Sequence, residues 1–305
     1  MKTKNFTRFD VRQFVDIPHW LQIIGAPLIY FVNRWLLVSS YANSIIKKNE
    51  HLSDIQFMAG SSDTLGLQVA ICGSLPEHGA IITVSNHPGG GDLCAVFKAL
   101  SLAGREDVKV LINPLVNFQQ IAGMVVPIPK GNPEKKAEMQ TIVNQAFENG
   151  NLFHYFPAGK DSRVIDGKIQ DTKWKGTFVA HAIKYGVPIV PIHISGQNSP
   201  FFYWLAGWTK RLGLPNIEQA FLIREVWKAR DSSIMVTFGQ PIDPKQFGID
   251  PDDRQGTIAI AQRIRAHVYQ LAQDPYEKFT NHSLTNQKKG ENLWTLSMRL
   301  RILRR

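Results

Sequence analysis

The sequence predicts an α/β fold built on a single mixed sheet, with amphipathic helices at its N-terminus. From residue 65 onward, short apolar segments rich in β-branched residues alternate with longer segments of helical periodicity. Such alternation is typical of one largely parallel or mixed sheet covered by helices. A chain of 305 residues is long enough to bury the core of one large α/β domain or of two smaller ones.

The candidate strands are short and leave room for helices between them. They cover residues 66–72, 80–85, 108–112, 125–129, 152–156, 189–194 and 234–238. Helices are predicted over residues 93–102, 133–149, 174–185 and 253–273. The helix 133–149 has the clearest ends, because Asn132 can cap it, Pro133 suits its first position and Gly150 ends it. In such sheets, chemistry usually lies in the loops that follow strands.

Both ends of the chain differ from the sheet-forming part, so we divide the chain into residues 1–54, 55–275 and 276–305. In the first segment, the apolar run 23–32 is about half as long as a membrane-spanning helix, and aromatic residues around it favour helices lying in a headgroup layer. The same pattern fits two amphipathic helices packed on the protein's own core. In the last segment, a leucine stripe flanked by arginines fits either a cationic amphipathic helix or a solvated tail.

The net charge favours an anionic partner. The chain has 35 Lys and Arg against 25 Asp and Glu, which gives a formal net charge of +10. Its content of 44% hydrophobic residues excludes disordered and fibrous classes of protein. Residues 282–305 contain six basic residues and one acidic residue, so half of the net charge lies there. The core has no basic-aromatic run and no nucleic-acid-binding motif. We therefore expect an anionic membrane surface as the partner, and no nucleic acid.

Cysteine usage and the N-terminal pattern indicate an intracellular protein. Cys72 and Cys94 are too few for a disulfide framework or a structural zinc site. The first 16 residues are polar and charged, without the basic-then-apolar pattern of a signal peptide. We expect a peripheral or monotopic protein on the cytoplasmic face of the membrane.

The first chemically distinctive loop is the segment 86–92, NHPGGGD, which follows the strand 80–85. His87 and Asp92 can meet only if the chain between them turns back, and Pro88 with three glycines supplies such a turn. A carboxylate that holds an imidazole makes it a positioned general base. The alternative is a glycine-rich loop in which Asp92 caps the next helix and His87 has no role. A metal site is not expected, because no third His or carboxylate stands at a supporting spacing.

The second such loop is the segment 156–163, FPAGKDSR, which also follows a strand. Its backbone amides, the Ser162 hydroxyl and the cations of Lys160 and Arg163 are groups that recognise a phosphate or another anion. Lys130, after the strand 125–129, is a further candidate contact with an anion. Solvated surface positions are the alternative for these residues.

Taken in order, these segments resemble four sequence blocks of the glycerolipid acyltransferases, the family that includes glycerol-3-phosphate and 1-acylglycerol-3-phosphate acyltransferases. The blocks are the His-x4-Asp pair at 87–92, the strand ending at Lys130, Phe-Pro-x-Gly at 156–159 and Val-Pro-Ile-Val-Pro-Ile at 187–192. Two later segments look like the bacterial hemolysin-like lysophospholipid acyltransferases, a branch similar to the acyltransferases of ornithine- and glycine-lipid synthesis: 195–199 and 222–242. The resemblance covers about residues 55–245.

The third block departs from the Phe-Pro-Glu-Gly-Thr-Arg-Ser pattern of the phosphate-acceptor enzymes. Here Ala158 replaces the glutamate, Lys160 the threonine and Asp161 the arginine, and an arginine comes only at Arg163. The arginine expected to hold an acceptor phosphate is therefore absent from its usual place. Either Lys160 or Arg163 replaces it, or the acceptor is a lyso-aminolipid whose anion is a carboxylate. Lys130 also replaces an arginine, so it keeps the charge without the planar fork.

The resemblance implies transfer of a fatty acyl group from acyl-CoA or acyl-ACP to the hydroxyl of a lysophospholipid or related lysolipid. His87 would take the hydroxyl proton, Asp92 would orient His87, and backbone amides of the glycine turn are candidates for the oxyanion donors. The residues expected to bind substrate are Lys130, Phe156, Pro157, Gly159, Lys160, Ser162 and Arg163. The residues expected to support the motif are Asn86, Gly89 and Gly91.

The expected partners are thus an acyl thioester donor, a lysolipid acceptor and an anionic membrane, with no cofactor beyond the thioester. Two other interpretations remain open. One is a different acceptor, such as a lyso-aminolipid, glycerol-3-phosphate, a long-chain alcohol or a sugar-linked lipid. The other is a basic, membrane-binding protein whose acyltransferase-like core has no activity.

Overall fold

The computed structural model describes residues 39–112, 119–128, 133–213 and 217–279. Strands and helices alternate along these ranges as the sequence predicts. In chain order the regular elements are α1 (Ser39–Lys48), α2 (Asp54–Thr64), β1 (Gln68–Cys72), β2 (Ile81–Ser85), α3 (Asp92–Leu102), β3 (Val108–Ile112), β4 (Val125–Pro127), α4 (Pro133–Glu148), β5 (Leu152–Tyr155), β6 (Arg163–Ile165), β7 (Lys168–Gln170), α5 (Thr177–Tyr185), β8 (Ile189–Ile194), α6 (Pro200–Arg211), α7 (Leu222–Lys228), β9 (Ser233–Phe238) and α8 (Arg254–Gln270). Short 3-10 turns span Gln119–Ile121, Ile217–Phe221 and Pro244–Phe247.

Seven strands form one mixed sheet in the order β1-β9-β8-β2-β5-β3-β4. Strands β8, β2, β5, β3 and β4 are mutually parallel, β9 is antiparallel to β8, and β1 is parallel to β9. The predicted mixed α/β sheet is therefore confirmed. Because β8, β2 and β5 are neighbours and parallel, the three loops that follow them emerge side by side at one edge.

Helices cover both faces of this sheet and make two apolar layers. On one face, α2 and α3 contribute buried side chains such as Phe57 and Phe97. On the other face, α4, α5 and α8 contribute Phe147, Phe178 and Ile264. All five residues of β2 are buried, as expected for a central strand covered on both sides.

Several elements differ from the sequence prediction. The hairpin β6–β7 was missed because its strands have only three residues each, although its Asp166-Gly167 turn carries the two positive φ angles, 49° and 74°, of a two-residue hairpin. Helices α2, α6 and α7 were also missed. Helix α5 begins at Thr177, not at Trp174, because the Trp174 side chain is buried in the preceding loop.

At the N-terminal end of the described chain, α1 packs on the core. Tyr41, Ile45 and Ile46 contact the layer that contains α2 and α3, and the Tyr41 ring meets Trp227 edge-on at 6.1 Å between centroids. For α1, the structure thus favours packing over the headgroup alternative. The predictions for the remaining N-terminal segment, for Lys130 and for the basic tail lie outside the described residues, and the division at residues 54 and 275 stays a prediction. Among the described helices, none is both long and apolar enough to cross a bilayer.

The packing of the core predicts how much stability is lost when a buried side chain of the central sheet is truncated. Phe153 of β5 is fully buried and stacks on Phe147 at 5.2 Å between ring centroids. Phe153→Ala should lower the free energy of unfolding by about 3–5 kcal/mol, because it removes a buried ring and leaves a cavity. The measurement is urea denaturation followed by circular dichroism. Leu102→Ala, at a side chain that is 61% exposed, is the control and should change stability by less than about 1 kcal/mol.

Candidate active site

The candidate site lies where the loops after β2, β5 and β8 meet. Asn86 joins two of them, because its side-chain amide donates to the Ile194 carbonyl and accepts from the Ile194 amide, both at 2.8 Å. The loop after β5 is joined to the loop after β2, because the amide of Ser162 donates to the His87 carbonyl at 2.7 Å. The loops are thus tied together by hydrogen bonds at the carboxyl edge of the sheet.

The glycine turn brings His87 and Asp92 into contact. His87 Nδ1 and Asp92 Oδ2 are 2.7 Å apart. The same carboxylate accepts hydrogen bonds of 2.7 Å from the amides of Gly89 and Leu93, and it stands at the start of α3, where a negative charge is favoured. Gly89, Gly90 and Gly91 all have positive φ, 84°, 61° and 94°, so residues with a side chain would be strained there.

A second carboxylate, that of Asp161, lies against the other ring nitrogen of His87. Asp161 was not among the predicted site residues. Asp161 Oδ1 lies 3.2 Å from His87 Nε2, and the Asp161 side chain is only 6% exposed. Its other oxygen accepts a hydrogen bond of 3.3 Å from the Asn198 amide. Asp161 therefore stands where an acceptor hydroxyl would have to lie in order to give its proton to Nε2.

These carboxylates control the protonation of His87. Burial alone would lower the pKa of His87, but the charges of Asp92, Asp161 and Asp171 outweigh it and raise the pKa to about 10. Burial would raise the pKa of Asp92, but His87 and the amides of Gly89 and Leu93 hold it below its usual range. For Asp161, burial dominates and raises the pKa. The raised pKa favours the imidazolium form of His87 between Asp92 and Asp161.

Asp171 organises the backbone below this pair. Its Oδ1 accepts from the His87 amide at 3.2 Å and from the Ser162 hydroxyl at 2.6 Å, and its Oδ2 accepts from the Trp174 ring nitrogen at 2.8 Å. Burial raises the pKa of this carboxyl. Asp171 lies in the loop after β7, so the missed hairpin is what returns it to the site.

Asn198, in the loop after β8, joins the glycine turn to Asp161. Its side-chain oxygen accepts from the Gly90 amide at 2.8 Å, and its side-chain amide donates to Asp161. A Cβ at Gly89 would overlap the Asn198 amide, so the turn and Asn198 fit only with glycine at that position. The amides of Gly89 and Gly90 both donate within this network. Neither amide is therefore free to serve as the oxyanion donor that was predicted for the glycine turn.

A neutral histidine backs the site. His154 on β5 is fully buried, with Nδ1 2.9 Å from the Thr83 hydroxyl and Nε2 3.3 Å from the Ser85 hydroxyl. Burial, together with the positive charge of His87, lowers its pKa to about 3. The Phe156 ring lies between the two histidines, 4.4 Å from the His87 ring and 4.6 Å from the His154 ring.

The residues of the second predicted loop have different surroundings. Ser162 bonds to Asp171, and Arg163 donates to Glu218 at 2.6 Å and to the Asp161 carbonyl at 2.8 Å. Both therefore fix the loop and do not face an open anion site. Lys160 is half-buried and makes no ion pair or hydrogen bond with any other described residue.

Pro157 and Gly159 shape the turn itself. The Gly159 amide donates to the Phe156 carbonyl at 2.9 Å with a φ of 69°, and the Pro157 carbonyl accepts from the Lys175 amide at 3.1 Å. A Cβ at Gly159 would lie 3.3 Å from Lys175 Nζ, so the Lys175 ammonium lies against this turn. The described ranges contain no cluster of three or more His, Cys, Asp and Glu side chains that could hold a metal ion.

The arrangement defines an α/β protein with an imidazole held between two carboxylates at a sheet edge. The sequence model of the Acyltransferase family matches residues 25–255. Lyso-glycine lipid O-acyltransferase from Bacteroides thetaiotaomicron is 34% identical over 256 residues, which cover 78% of this chain and 92% of the relative. The protein of the same name from Phocaeicola vulgatus is 34% identical over 234 residues, 75% of this chain and 82% of the relative. The chain therefore belongs to the acyltransferase family.

A solved structure also aligns with the chain. It is the crystal structure of the 1-acyl-sn-glycerophosphate (LPA) acyltransferase, PlsC, from Thermotoga maritima, with a TM-score of 0.41 and 19% identity. The alignment covers 78% of this chain and 93% of that one.

The carboxylates predict a shifted titration of His87. Its imidazolium should persist to a pH of about 10, against an ordinary pKa of 6.5. Because the pKa is higher in the folded state, the stability that this proton contributes is complete below pH 6.5 and is lost as the pH rises towards 10.

The titration of His87 is measured by following its imidazole chemical shifts by NMR as the pH is changed. Asp161→Asn should lower the pKa of His87, whereas Asp166→Asn, which removes the same charge from an exposed turn, should leave it unchanged. A normal pKa in the unaltered protein would contradict the assigned contacts.

Proposed function

We propose that this enzyme transfers a fatty acyl group from an acyl thioester to the hydroxyl of a lyso-aminolipid of the lyso-glycine lipid class. The observation that carries the proposal is the contact of His87 with Asp92 on one side and Asp161 on the other. Two relatives at 34% identity act on lyso-glycine lipid by name, which supports this acceptor class over a lysophospholipid.

His87 is the proposed general base. With an acceptor bound, its Nε2 takes the hydroxyl proton while Asp92 holds Nδ1–H and stabilises the imidazolium. The hydroxyl oxygen forms a bond with the thioester carbonyl carbon, the carbon–sulfur bond then breaks, and His87 returns the proton to the departing thiolate. The base needs an unprotonated Nε2, so the acceptor must first displace Asp161 from it. With one carboxylate fewer beside the ring the pKa of His87 falls, and the Nε2 proton passes to solvent before the acceptor hydroxyl gives up its own.

Asp161 supports an acceptor that carries a hydrogen-bond donor. A buried carboxylate accepts hydrogen bonds and repels anions, so it favours an N–H group and disfavours a phosphate at the same position. An acceptor N–H that bonds to Asp161 leaves His87 Nε2 free for the neighbouring hydroxyl. Where phosphate-acceptor enzymes of the resembling family have an arginine, this chain thus places the opposite charge.

The acyl donor is the proposed ligand of the cations at the turn of Gly159. Lys160 has no partner among the described residues, and Lys175 lies against the same turn. Two ammonium groups suit the phosphates of coenzyme A or an acidic acyl carrier protein. Lys130 remains a further candidate for this role, in addition to Lys160. We place the reaction at an anionic membrane surface on the cytoplasmic side, with the enzyme bound peripherally.

The base assignment predicts a large loss of activity. His87→Ala should lower kcat/KM by about 10²–10⁴-fold, the range that positioned general bases contribute. The assay combines purified full-length enzyme with acyl-CoA or acyl-ACP and a panel of lysolipids dispersed in detergent, and lipid mass spectrometry identifies the product. His78→Ala removes an exposed histidine and should retain full activity. Undiminished turnover by His87→Ala would refute the mechanism, and product formed only from lysophosphatidate would refute the acceptor.

The assignment of Asp161 predicts a change in acceptor preference. Asp161→Asn should reduce the ratio of kcat/KM for a lyso-glycine lipid to kcat/KM for lysophosphatidate by about tenfold or more, because it weakens the bond to N–H and removes repulsion of phosphate. Competition between the two acceptors in one reaction measures the ratio directly. Asp166→Asn is the matched loss of charge and should preserve the ratio. An equal change of both rates in Asp161→Asn would assign Asp161 to loop structure alone.

A further inference from the structure

Helix α6 is fixed rigidly beside the active site by polar contacts on its inner side. At its start, the Ser199 amide and hydroxyl donate to the buried Glu225 carboxylate at 2.5 and 2.8 Å. In its last turn, the Thr209 hydroxyl donates at 3.2 Å to Glu218, which also accepts from Arg163. These contacts fix the rotation of α6 about its own axis, and so they decide which side chains face outward.

The outward side of α6 is aromatic. Trp204 is 58% exposed and Trp208 is 51% exposed, and their rings lie 6.0 Å apart. Phe201 continues the row at 6.1 Å from Trp204, and Leu212 extends it beyond the helix end with an exposure of 55%. We call these four residues the α6 face. Large exposed apolar surfaces of this kind mark sites of interaction.

An open groove of about 540 Å³ lies along the α6 face and is lined by Trp204, Trp208 and Asn198. The hairpin β6–β7 forms its second wall with Val164, which is 54% exposed, and Ile169. Asn198 and Tyr203 line the groove and also belong to the site, because Asn198 donates to Asp161 and its backbone amide donates to the Tyr203 hydroxyl at 3.0 Å.

We propose that the α6 face and Val164 of the β6–β7 hairpin insert into the headgroup layer of an anionic bilayer, with the groove open towards the lipid. The proposal rests on the proposed function, because it assumes that the acceptor is a lipid. The membrane contact proposed here is in the middle of the chain, whereas the sequence predicted membrane contact only at the two chain ends.

The composition of the surface favours a bilayer over another protein. Tryptophans are preferred at membrane interfaces, where an apolar ring with a polar edge is half immersed. Helix α6 has no acidic residue, and its last turn carries Lys210 and Arg211, both exposed. Each basic residue near an anionic leaflet contributes attraction. Aromatic rings followed by cations along one helix are typical of an interfacial helix that approaches the membrane with its side.

The groove between the α6 face and Asn198 explains why this orientation on the membrane would serve the reaction. A lysolipid leaves the bilayer only if an apolar path receives its chain, because exposing that chain to water is costly. The groove between Trp204, Trp208 and the hairpin provides apolar walls next to the proposed membrane surface. Its buried end at Asn198 contacts Asp161, the residue to which the proposed acceptor binds.

The test is sedimentation of the full-length chain with vesicles of phosphatidylcholine mixed with phosphatidylglycerol. The double variant Trp204→Ala/Trp208→Ala should bind about a hundredfold more weakly, about tenfold for each half-exposed ring. Tyr276→Ala removes an exposed aromatic ring elsewhere, at a side chain that is 73% exposed, and should bind as the unaltered protein does. Thermal unfolding of each variant checks that the fold is intact. Unchanged binding of a folded double variant would overturn the proposal.

A second pair of variants tests the charge. Lys210→Gln/Arg211→Gln should weaken binding to the mixed vesicles by about fivefold for each charge and leave binding to pure phosphatidylcholine unchanged. Loss of self-association in the tryptophan variant, with vesicle binding retained, would assign the α6 face to a second copy of the chain and overturn the proposal. Acyl transfer to a detergent-dispersed acceptor by the unaltered enzyme tests the proposed function without vesicles, so failure of one proposal is distinguishable from failure of the other.

Discussion

His87 is held at both ring nitrogens by buried carboxylates, Asp92 at Nδ1 and Asp161 at Nε2, and the loops of the site are arranged to keep these charges in place. A buried carboxylate is costly unless it is paired and hydrogen-bonded. The glycine turn supplies amides to Asp92, and Asn198 supplies an amide to Asp161. The unusual backbone of the turn and the position of Asn198 follow from this requirement.

The distribution of charge around His87 differs from that of the whole chain. The net charge of the sequence is +10, yet the charged side chains that raise the pKa of His87 are three aspartates, Asp92, Asp161 and Asp171. Arg163, two positions after Asp161, is paired with Glu218. An anionic headgroup is therefore repelled at the base itself and is attracted only further out. The same charges keep the ring protonated, so it cannot accept the hydroxyl proton until one carboxylate is displaced and the Nε2 proton is lost, which links acceptor binding to activation of the base.

Local signals in the sequence predicted the elements that carry most of the sheet and the pairing of His87 with Asp92. The strands of the sheet are short and mostly apolar, several of them rich in β-branched residues, and a turn of three glycines leaves few other ways to place His87 and Asp92. Asp161 was noticed only as a departure from the family pattern, since its neighbours at the site come from loops that no local signal joins. Its partner Asn198 is 37 positions away, and Arg163 reaches Glu218 across 55. Helix α6 was missed because its apolar residues lie on both its inner and outer sides, which hides the amphipathic pattern.

Asn198 is the residue through which the two proposals meet. It lines the groove beside the α6 face, accepts from the glycine turn that carries His87 and donates to Asp161. On these proposals, a lipid that enters from the bilayer reaches Asn198 before it reaches the imidazole, and its N–H group competes with the Asn198 amide and with His87 for Asp161. The base would then lose its second carboxylate only when an acceptor occupies the groove.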